Sequence, residues 1–321
     1  MSSQIVTLHE ARSGASASIL VSQGFNCFRW TVPLGGRPLE LIYAPDDFAD
    51  GAGRPSRGGI PLLFPFPGRI PGTTLSWQGQ QYALEPGDAL GNAIHGFVLS
   101  RPWRVVEASP QRVVGEFDSH RDDPGLAARW PSAFRFQATY TLAGQSLRCE
   151  LVAENTGKEP LPCGLGAHPY FRLPLGGPSA EACLVRLPVA ERWELENLLP
   201  TGRKMIEPDA RALAAGKPFA DLRLDDVFSG LGFEGGACTT SIHDPGSGCT
   251  LVQRFGAPFR ECVVYTPPHR EAICIEPYTC VAGAFALQGR GIDTGLLVLP
   301  PGETLRAWFE LAVRLDAAAA K

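Results

Sequence analysis

Residues 150–172 read ELVAENTGKEPLPCGLGAHPYFR, and this stretch combines three kinds of sequence. Residues 150–156 alternate in the manner of a half-buried β-strand. Glycine and proline then predict a turn over residues 157–162. His168 follows between small residues, so a ligand could reach its ring. The alternative is a histidine that is hydrogen-bonded to the backbone at a strand end.

The same pattern of short runs and turns extends over the chain. Its 321 residues include 36 glycines and 29 prolines, which interrupt the sequence too often for long helices. We predict about eighteen to twenty short strands, without βα alternation or an internal repeat. Only two short helices are predicted, over residues 121–130 and 209–215. This pattern predicts an all-β sandwich or barrel, and the length allows a single large core.

The predicted strands are separated by glycine and proline turns. Seventeen of them lie at residues 19–21, 27–32, 39–43, 74–84 (two strands around a turn at 78–79), 103–107, 113–117, 134–142, 146–155, 183–187, 193–195, 238–242, 250–255, 261–266, 272–276, 296–299 and 305–315.

Charge and cysteine content exclude several classes of function. The chain has 29 Lys and Arg against 33 Asp and Glu, a net charge of −4, which argues against nucleic acid or an anionic membrane as partner. We expect no signal peptide, and no segment approaches the roughly 18 apolar residues of a membrane span. The nine cysteines occur without a C-x-x-C pair. This predicts buried, reduced thiols and a cytoplasmic protein.

Residues 58–72, GGIPLLFPFPGRIPG, contain four prolines and one charged residue, Arg69. Proline lacks the N–H that a central strand needs, so the segment is predicted to be extended and irregular. An arginine on such a rigid loop is a fixed donor for ligand oxygens. The alternative is a surface arginine without a ligand.

Three further segments supply candidate acids and bases. His95 lies in NAIHGF, and Asp225 and Asp226 lie in the apolar run LRLDDVFSG. Neighbouring side chains of a strand point to opposite faces, so only one of the two aspartates can face a pocket. Glu276 ends the apolar run AICIE and precedes Pro277, which predicts a carboxylate at a strand end with a pKa raised by burial. These residue types suit acid/base chemistry on a polyhydroxylated molecule.

In this order, GGIPLLFPFPGRI, NAIHGF, GLGAHPYF, LDDVF, IEPYT and LPPGETLRAWFEL resemble the aldose 1-epimerase (galactose mutarotase) family. The resemblance implies a large antiparallel β-sandwich of the galactose mutarotase-like type, formed as a single domain over residues 1–321. It also implies a sugar bound on a concave sheet surface and interconversion of its α and β anomers without cofactor or metal.

Site residues follow from the same resemblance. Glu276 is the implied base, which takes the proton of the anomeric hydroxyl, and His168 is the implied acid, which protonates the ring oxygen. His95 assists, while Arg69 and Asp225 hold the sugar.

The sequence departs from the better-known galactose mutarotases at two positions. Gly68 stands where they carry Asn before the arginine, and Pro277 stands where a polar residue follows the glutamate. The sugar is therefore left open, including whether it is a free aldose or a sugar phosphate. The related hexose-6-phosphate epimerases share GGIP and HGF, and Arg54 and Arg57 lie close enough to GGIP to suggest a phosphate site. The alternative is a pair of solvated surface arginines on a loop rich in glycine and proline.

Two other classes of function use the same residue types. The first is a non-catalytic carbohydrate-binding β-sandwich. The second is a metal-dependent cupin-like isomerase, which is disfavoured because His95 and His168 are about seventy residues apart and not closely spaced ligands.

Overall fold

Antiparallel strands dominate the computed structural model, which describes residues 4–51, 53–206 and 208–316. In chain order, the strands of the described residues are β1 (Ile5–His9), β2 (Ser16–Leu20), β3 (Asn26–Leu34), β4 (Arg37–Glu40), β5 (Leu62–Leu63), β6 (Arg69–Ile70), β7 (Thr74–Trp77), β8 (Gln80–Ala83), β9 (Ala93–Ile94), β10 (Arg104–Ser109), β11 (Arg112–Asp118), β12 (Phe134–Ala143), β13 (Ser146–Asn155), β14 (Leu161–Cys163), β15 (Gly166–Ala167), β16 (Tyr170–Arg172), β17 (Leu184–Arg186), β18 (Glu191–Glu196), β19 (Leu199–Met205), β20 (Lys217–Pro218), β21 (Asp225–Ser229), β22 (Phe233–Glu234), β23 (Ala237–Asp244), β24 (Cys249–Gly256), β25 (Glu261–Tyr265), β26 (Ala272–Tyr278), β27 (Leu297–Leu299) and β28 (Thr304–Leu315).

Helices are few and short among these residues. The α-helices are α1 (Ser119–Asp122), α2 (Pro208–Ala215) and α3 (Ala284–Gln288), and the 3₁₀ turns are Phe48–Asp50, Pro55–Arg57, Val98–Ser100, Pro124–Ala128, Ala180–Ala182 and Phe219–Asp221. No helix in the described part of the chain is both long and apolar enough to cross a bilayer.

Two large antiparallel sheets form the body of the fold. The ten-stranded sheet has the order β10-β11-β12-β13-β28-β24-β23-β17-β20, with β22 paired to β23. The eight-stranded sheet has the order β19-β18-β21-β25-β26-β15-β5, with β16 paired to β26. A four-stranded sheet (β1-β2-β3-β4) and the pairs β14-β27, β6-β9 and β7-β8 complete the structure. This architecture confirms the predicted all-β fold of antiparallel strands.

A shared apolar core joins the two large sheets. Strand β12 alternates buried and partly exposed residues along its length, which is the period-2 pattern of a strand with one face in a core. Its Phe136 belongs to the same buried cluster as Leu311 of β28 and as Val264 and Ile273 of the eight-stranded sheet. Burial of each such side chain contributes about 1.5–3 kcal/mol to stability.

Strand β26 lies inside the eight-stranded sheet and is buried along its whole length. Ile273 and Ile275 point into the shared core. Glu276 and Tyr278 therefore point to the opposite face, because side chains alternate along a strand. A polar site can form on this second face without disturbing the apolar packing.

Glu276 does not end its strand, contrary to the prediction, because β26 continues through Pro277 to Tyr278. The amide of Thr279 donates to the carbonyl of Leu165 at 2.8 Å. The Pro277 nitrogen, two residues earlier, points toward the same neighbour, where the ladder is interrupted between β15 and β16. A missing N–H is tolerated at such an interruption.

Several other elements differ from the prediction. Strand β1 and helix α3 were not predicted, and two-residue strands make the observed number of strands larger than predicted. Helix α3 has only five residues and begins after Gly283, whose φ is +69°, so it gives no periodic signal. The two predicted helices are present as α1 with the following 3₁₀ turn, and as α2.

Candidate active site

A cavity of about 420 Å³ opens on the second face of the eight-stranded sheet. Its lining includes all five residues predicted from the sequence: Arg69, His95, His168, Asp225 and Glu276. They come from segments spread over some two hundred positions of the chain. The fold therefore brings together every predicted site residue.

Backbone hydrogen bonds between loops place the two histidines. The His168 amide donates to the carbonyl of Pro61 at 2.9 Å, which fixes the connection between β15 and β16 against the proline-rich segment. The His95 amide donates to the carbonyl of Gly68 at 2.8 Å, directly beside Arg69. Residues from two loops thus meet over the sheet.

The HGF motif has a steric reason for its glycine. His95 has a φ of +66° and Gly96 a φ of +71°, a left-handed conformation that is uncommon for a residue with a side chain. A Cβ at Gly96 would lie 2.2 Å from the carbonyl oxygen of Phe64. Only glycine allows this close crossing, and the crossing turns His95 toward the cavity.

His168 and Glu276 form the most buried polar pair of the site. His168 Nε2 lies 3.3 Å from Glu276 Oε1, and the two residues are only 6% and 1% exposed. Burial lowers the pKa of His168 to about 3, and the nearby Arg69 charge acts in the same direction. Burial also raises the pKa of Glu276 well above its usual value. Both shifts favour the neutral form of each residue, in which the pair holds one proton and Glu276 carries it.

His95 stands edge-on to His168, with 5.5 Å between the ring centroids. Burial and the neighbouring His168 keep the pKa of His95 well below its usual value, so this ring is neutral. The Nδ1 atoms of both histidines have no hydrogen-bond partner among the described residues. Polar atoms left unpaired in a buried site are available to a ligand.

Arg69 is held by a residue that the sequence analysis missed. Its Nε donates to Asp88 Oδ2 at 2.9 Å. Asp88 also accepts bonds from the amides of Leu90 and Asn92, and these bonds keep its pKa low although burial opposes this. The segment EPGDALGN has the composition of an Asx-type turn, so the turn was readable from the sequence but the partnership with Arg69 was not.

The two adjacent aspartates have different surroundings. Asp225 lines the cavity, and burial raises its pKa while the nearby Arg69 charge opposes this. Asp226 forms an ion pair with Arg192, with 2.8 Å between Oδ1 and Nη1. Strand alternation separates the two side chains, as predicted.

Tyr278 is a second residue that the sequence analysis missed. It lines the cavity, and its hydroxyl donates to Glu276 Oε2 at 2.6 Å. Once β26 is seen to continue past Pro277, the i, i+2 spacing places both side chains on one face.

Arg54 and Arg57 line the same cavity from its exposed side. Neither guanidinium has an ion-pair partner within the part of the chain that the structure describes. The loop that carries them is fixed, because the Tyr170 hydroxyl donates to the carbonyl of Ser56 at 2.8 Å. Asn26 adds a bond from its Nδ2 to the carbonyl of Gly58 at 3.0 Å.

One group of residues in the cavity region resembles a metal site in composition. Potential ligand atoms of His168, Cys274 and Glu276 lie within 4.8 Å of one another. Ligand atoms of a tetrahedral zinc ion are about 3.5 Å apart. The three side chains would have to draw together to hold such an ion.

Comparison with known proteins gives the family context. A family model described as Aldose 1-epimerase matches residues 5–312. The uncharacterized protein YihR of Escherichia coli (strain K12) is 25% identical over 259 residues, which cover 78% of this chain and 77% of YihR. The uncharacterized protein YphB of the same organism is 32% identical over 114 residues, 35% of this chain and 36% of YphB.

Solved structures share the fold over almost the whole chain. A galactose mutarotase-like protein from Clostridium acetobutylicum has a TM-score of 0.83 at 21% identity, covering 98% of this chain and 99% of its own. The GalM/aldose epimerase homologue from C. elegans has a TM-score of 0.80 at 19% identity, covering 98% and 99% of the two chains. At these identities the structures establish the common fold.

Proposed function

The chain belongs to the aldose 1-epimerase family, and from this we propose that it interconverts the α and β anomers of a sugar by acid/base ring opening and reclosure. The observation that carries the proposal is the buried His168–Glu276 pair, whose facing atoms lie 3.3 Å apart at the base of the cavity. An acid and a base that share one proton can remove a proton from one sugar oxygen and deliver one to another.

In the proposed reaction, binding of the sugar shifts the proton of the pair from Glu276 to His168, so that Glu276 is ionised and His168 is protonated. Glu276 takes the proton of the anomeric hydroxyl, and His168 gives its proton to the ring oxygen as the C1–O5 bond breaks. The open-chain aldehyde then rotates about the C1–C2 bond. Reclosure on the other face of the carbonyl returns both protons, so the cycle has no net consumption of protons.

The other lining residues hold the sugar in this scheme. Asp225 accepts a hydrogen bond from a sugar hydroxyl, and Arg69 donates to a sugar oxygen from the position that Asp88 fixes. His95 is neutral and orients the sugar beside His168. Leu195, Val227 and Val263 line the same cavity and offer apolar contact to the C–H groups of the ring.

Polarimetry on freshly dissolved α-anomers tests the proposal. We expect the chain to accelerate mutarotation of at least one common hexose or pentose above the spontaneous rate. The matched control is the His168→Asn protein at the same concentration. Absence of acceleration for every sugar would refute the catalytic function, and equal rates in the two proteins would favour a non-catalytic carbohydrate-binding sandwich.

A sugar phosphate is the second candidate substrate, and a specific observation favours it. Arg54 and Arg57 line the cavity without an ion-pair partner among the described residues, and arginine binds phosphate in bidentate fashion. Replacing both with Gln should raise KM for a hexose 6-phosphate at least tenfold and leave KM for the free hexose unchanged. Arg306→Gln, an exposed change outside the cavity, is the control. If the double variant has the same KM as wild type for the hexose 6-phosphate as well as for the free hexose, this candidate is removed.

We also propose a cytoplasmic location and a single domain. All nine cysteines are free and buried, which suits a reducing compartment. A buried cluster that includes residues of both large sheets supports one folding unit.

A further inference from the structure

A hydrogen bond at the base of the cavity has no part in the scheme above. It joins the Tyr278 hydroxyl to Glu276 Oε2 at 2.6 Å, and both residues are 1% exposed. At this burial water does not compete for either atom. The opposite oxygen, Oε1, is the one that faces His168 at 3.3 Å.

Packing fixes the direction in which the Tyr278 hydroxyl points. The ring lies against Gly166 of the neighbouring strand, where a Cβ would come within 2.7 Å of Tyr278 Cδ1. Gly166 and Tyr278 are directly paired across β15 and β26. The glycine therefore leaves room for the aromatic ring, and the ring has little freedom to move away from Glu276.

We propose that Tyr278 is a positioning residue for the reaction, which holds Glu276 through Oε2 and leaves Oε1 to exchange a proton with the sugar and with His168. The inference rests on the proposed function, because it takes Glu276 as the base.

The hydrogen bond also affects which member of the pair carries the proton. A donor to a carboxylate favours its ionised form, so the Tyr278 bond opposes the effect of burial on the Glu276 pKa. Other titratable or charged groups near Glu276 are His168, Asp225, Arg69, Tyr170, Tyr265, Cys262 and Cys274. A Tyr278→Phe change keeps the ring and leaves all of these in place.

The loss of the hydroxyl should have two linked effects. The ionised Glu276 becomes less stable, so the fraction of the pair in the reactive form falls and kcat drops about ten- to a hundredfold. The dissociation constant for the one proton of the pair falls by the same factor. The basic limb of the kcat profile therefore moves upward by about one to two pH units. The acidic limb and KM stay unchanged, because Glu276 is already protonated there and the hydroxyl points at Glu276.

The test compares pH profiles of kcat for wild type, Tyr278→Phe and Tyr140→Phe. Tyr140 is a fully buried tyrosine of the ten-stranded sheet, so the control removes the same group at a distance from the cavity. Circular dichroism and thermal unfolding check the fold of each protein. In a Glu276→Gln background, Tyr278→Phe should have no further effect on kcat.

Unchanged kcat in Tyr278→Phe, or a lower kcat with an unmoved basic limb, would overturn the inference. If the Phe variant does not fold, 3-fluorotyrosine at position 278 keeps the ring and is a stronger donor, so it should lower the basic limb. A wild type inactive on every sugar would refute the proposed function. In that case ¹³C NMR titration of Glu276 tests the bond directly, and equal pKa values in wild type and Tyr278→Phe would overturn the inference.

Discussion

Replacement of Glu276 by Gln isolates proton transfer from binding. In the structure, Oε2 accepts from the Tyr278 hydroxyl at 2.6 Å and Oε1 lies 3.3 Å from His168 Nε2. The amide of Gln can keep both contacts, with its oxygen toward Tyr278 and its NH₂ group toward His168. It therefore imitates the protonated carboxyl in shape and in hydrogen bonding, and only the ability to accept a proton is lost.

The expected loss is a fall in kcat of two to four orders of magnitude, the usual contribution of a positioned base. This corresponds to about 3–5 kcal/mol in the activation barrier. KM should change by less than about threefold, because Arg69 and Asp225 remain in place. The assay is polarimetric, with the spontaneous rate subtracted and the protein concentration raised until the residual rate is measurable.

Stability gives an independent check on the same variant. Burial raises the pKa of Glu276 above its unfolded value, so its favourable contribution is present at low pH and is lost as pH rises through the folded pKa. Gln has no such dependence, and the stability of the variant relative to wild type should increase with pH above about 4.5. Retention of more than about a tenth of wild-type kcat in a folded variant would show that the base is another residue.

Three further predictions concern the binding carboxylate, the acid and a buried group outside the site. Asp225→Asn should raise KM about tenfold or more through loss of a charge-assisted hydrogen bond, while Asp226→Asn should leave KM unchanged. A larger KM for Asp226→Asn than for Asp225→Asn in steady-state kinetics would contradict the assignment of Asp225 as the cavity-facing side chain. His168→Asn should cut kcat at least a hundredfold, and its pH profile should rise through the Glu276 pKa without falling again, because Asn has no proton to lose. His95→Asn should keep both limbs of the bell-shaped profile. A bell that survives only in the His168 variant would exchange the roles of the two histidines. Burial raises the pKa of Glu261 to about 7, so the free energy of unfolding of Glu261→Gln should rise relative to wild type by up to about 3 kcal/mol between pH 4.5 and 7. A difference in urea-unfolding free energy that stays constant over this pH range would refute the prediction.

The sequence was sufficient to predict five residues that line the cavity. Glu276 ends an apolar run, and His168 is flanked by small residues, so each is visible from its immediate neighbours. Strand alternation was enough to separate Asp225 from Asp226. Arg69 is the only charge in a proline-rich segment, which identifies it without knowledge of the fold.

Residues that act through a distant partner could not be predicted in the same way. Asp88 meets Arg69 only because β6 pairs with β9, and strands of two residues leave no periodic pattern. The sequence does not predict Tyr278, because Pro277 indicates the end of the strand whereas β26 continues to Tyr278. The sequence shows that a proline has no N–H to donate. It does not show whether the neighbouring strand has a carbonyl at that position that would accept one.

The nine buried thiols are natural probes of structural opening. A water-soluble alkylating reagent can reach a buried cysteine only after the surrounding structure opens. Cys274 lies on β26 beside Glu276, and Cys149 lies on β13 of the opposite sheet. The order in which the two are alkylated therefore distinguishes local opening of the cavity floor from unfolding of the entire sandwich. Wild-type protein can supply this information without an introduced label.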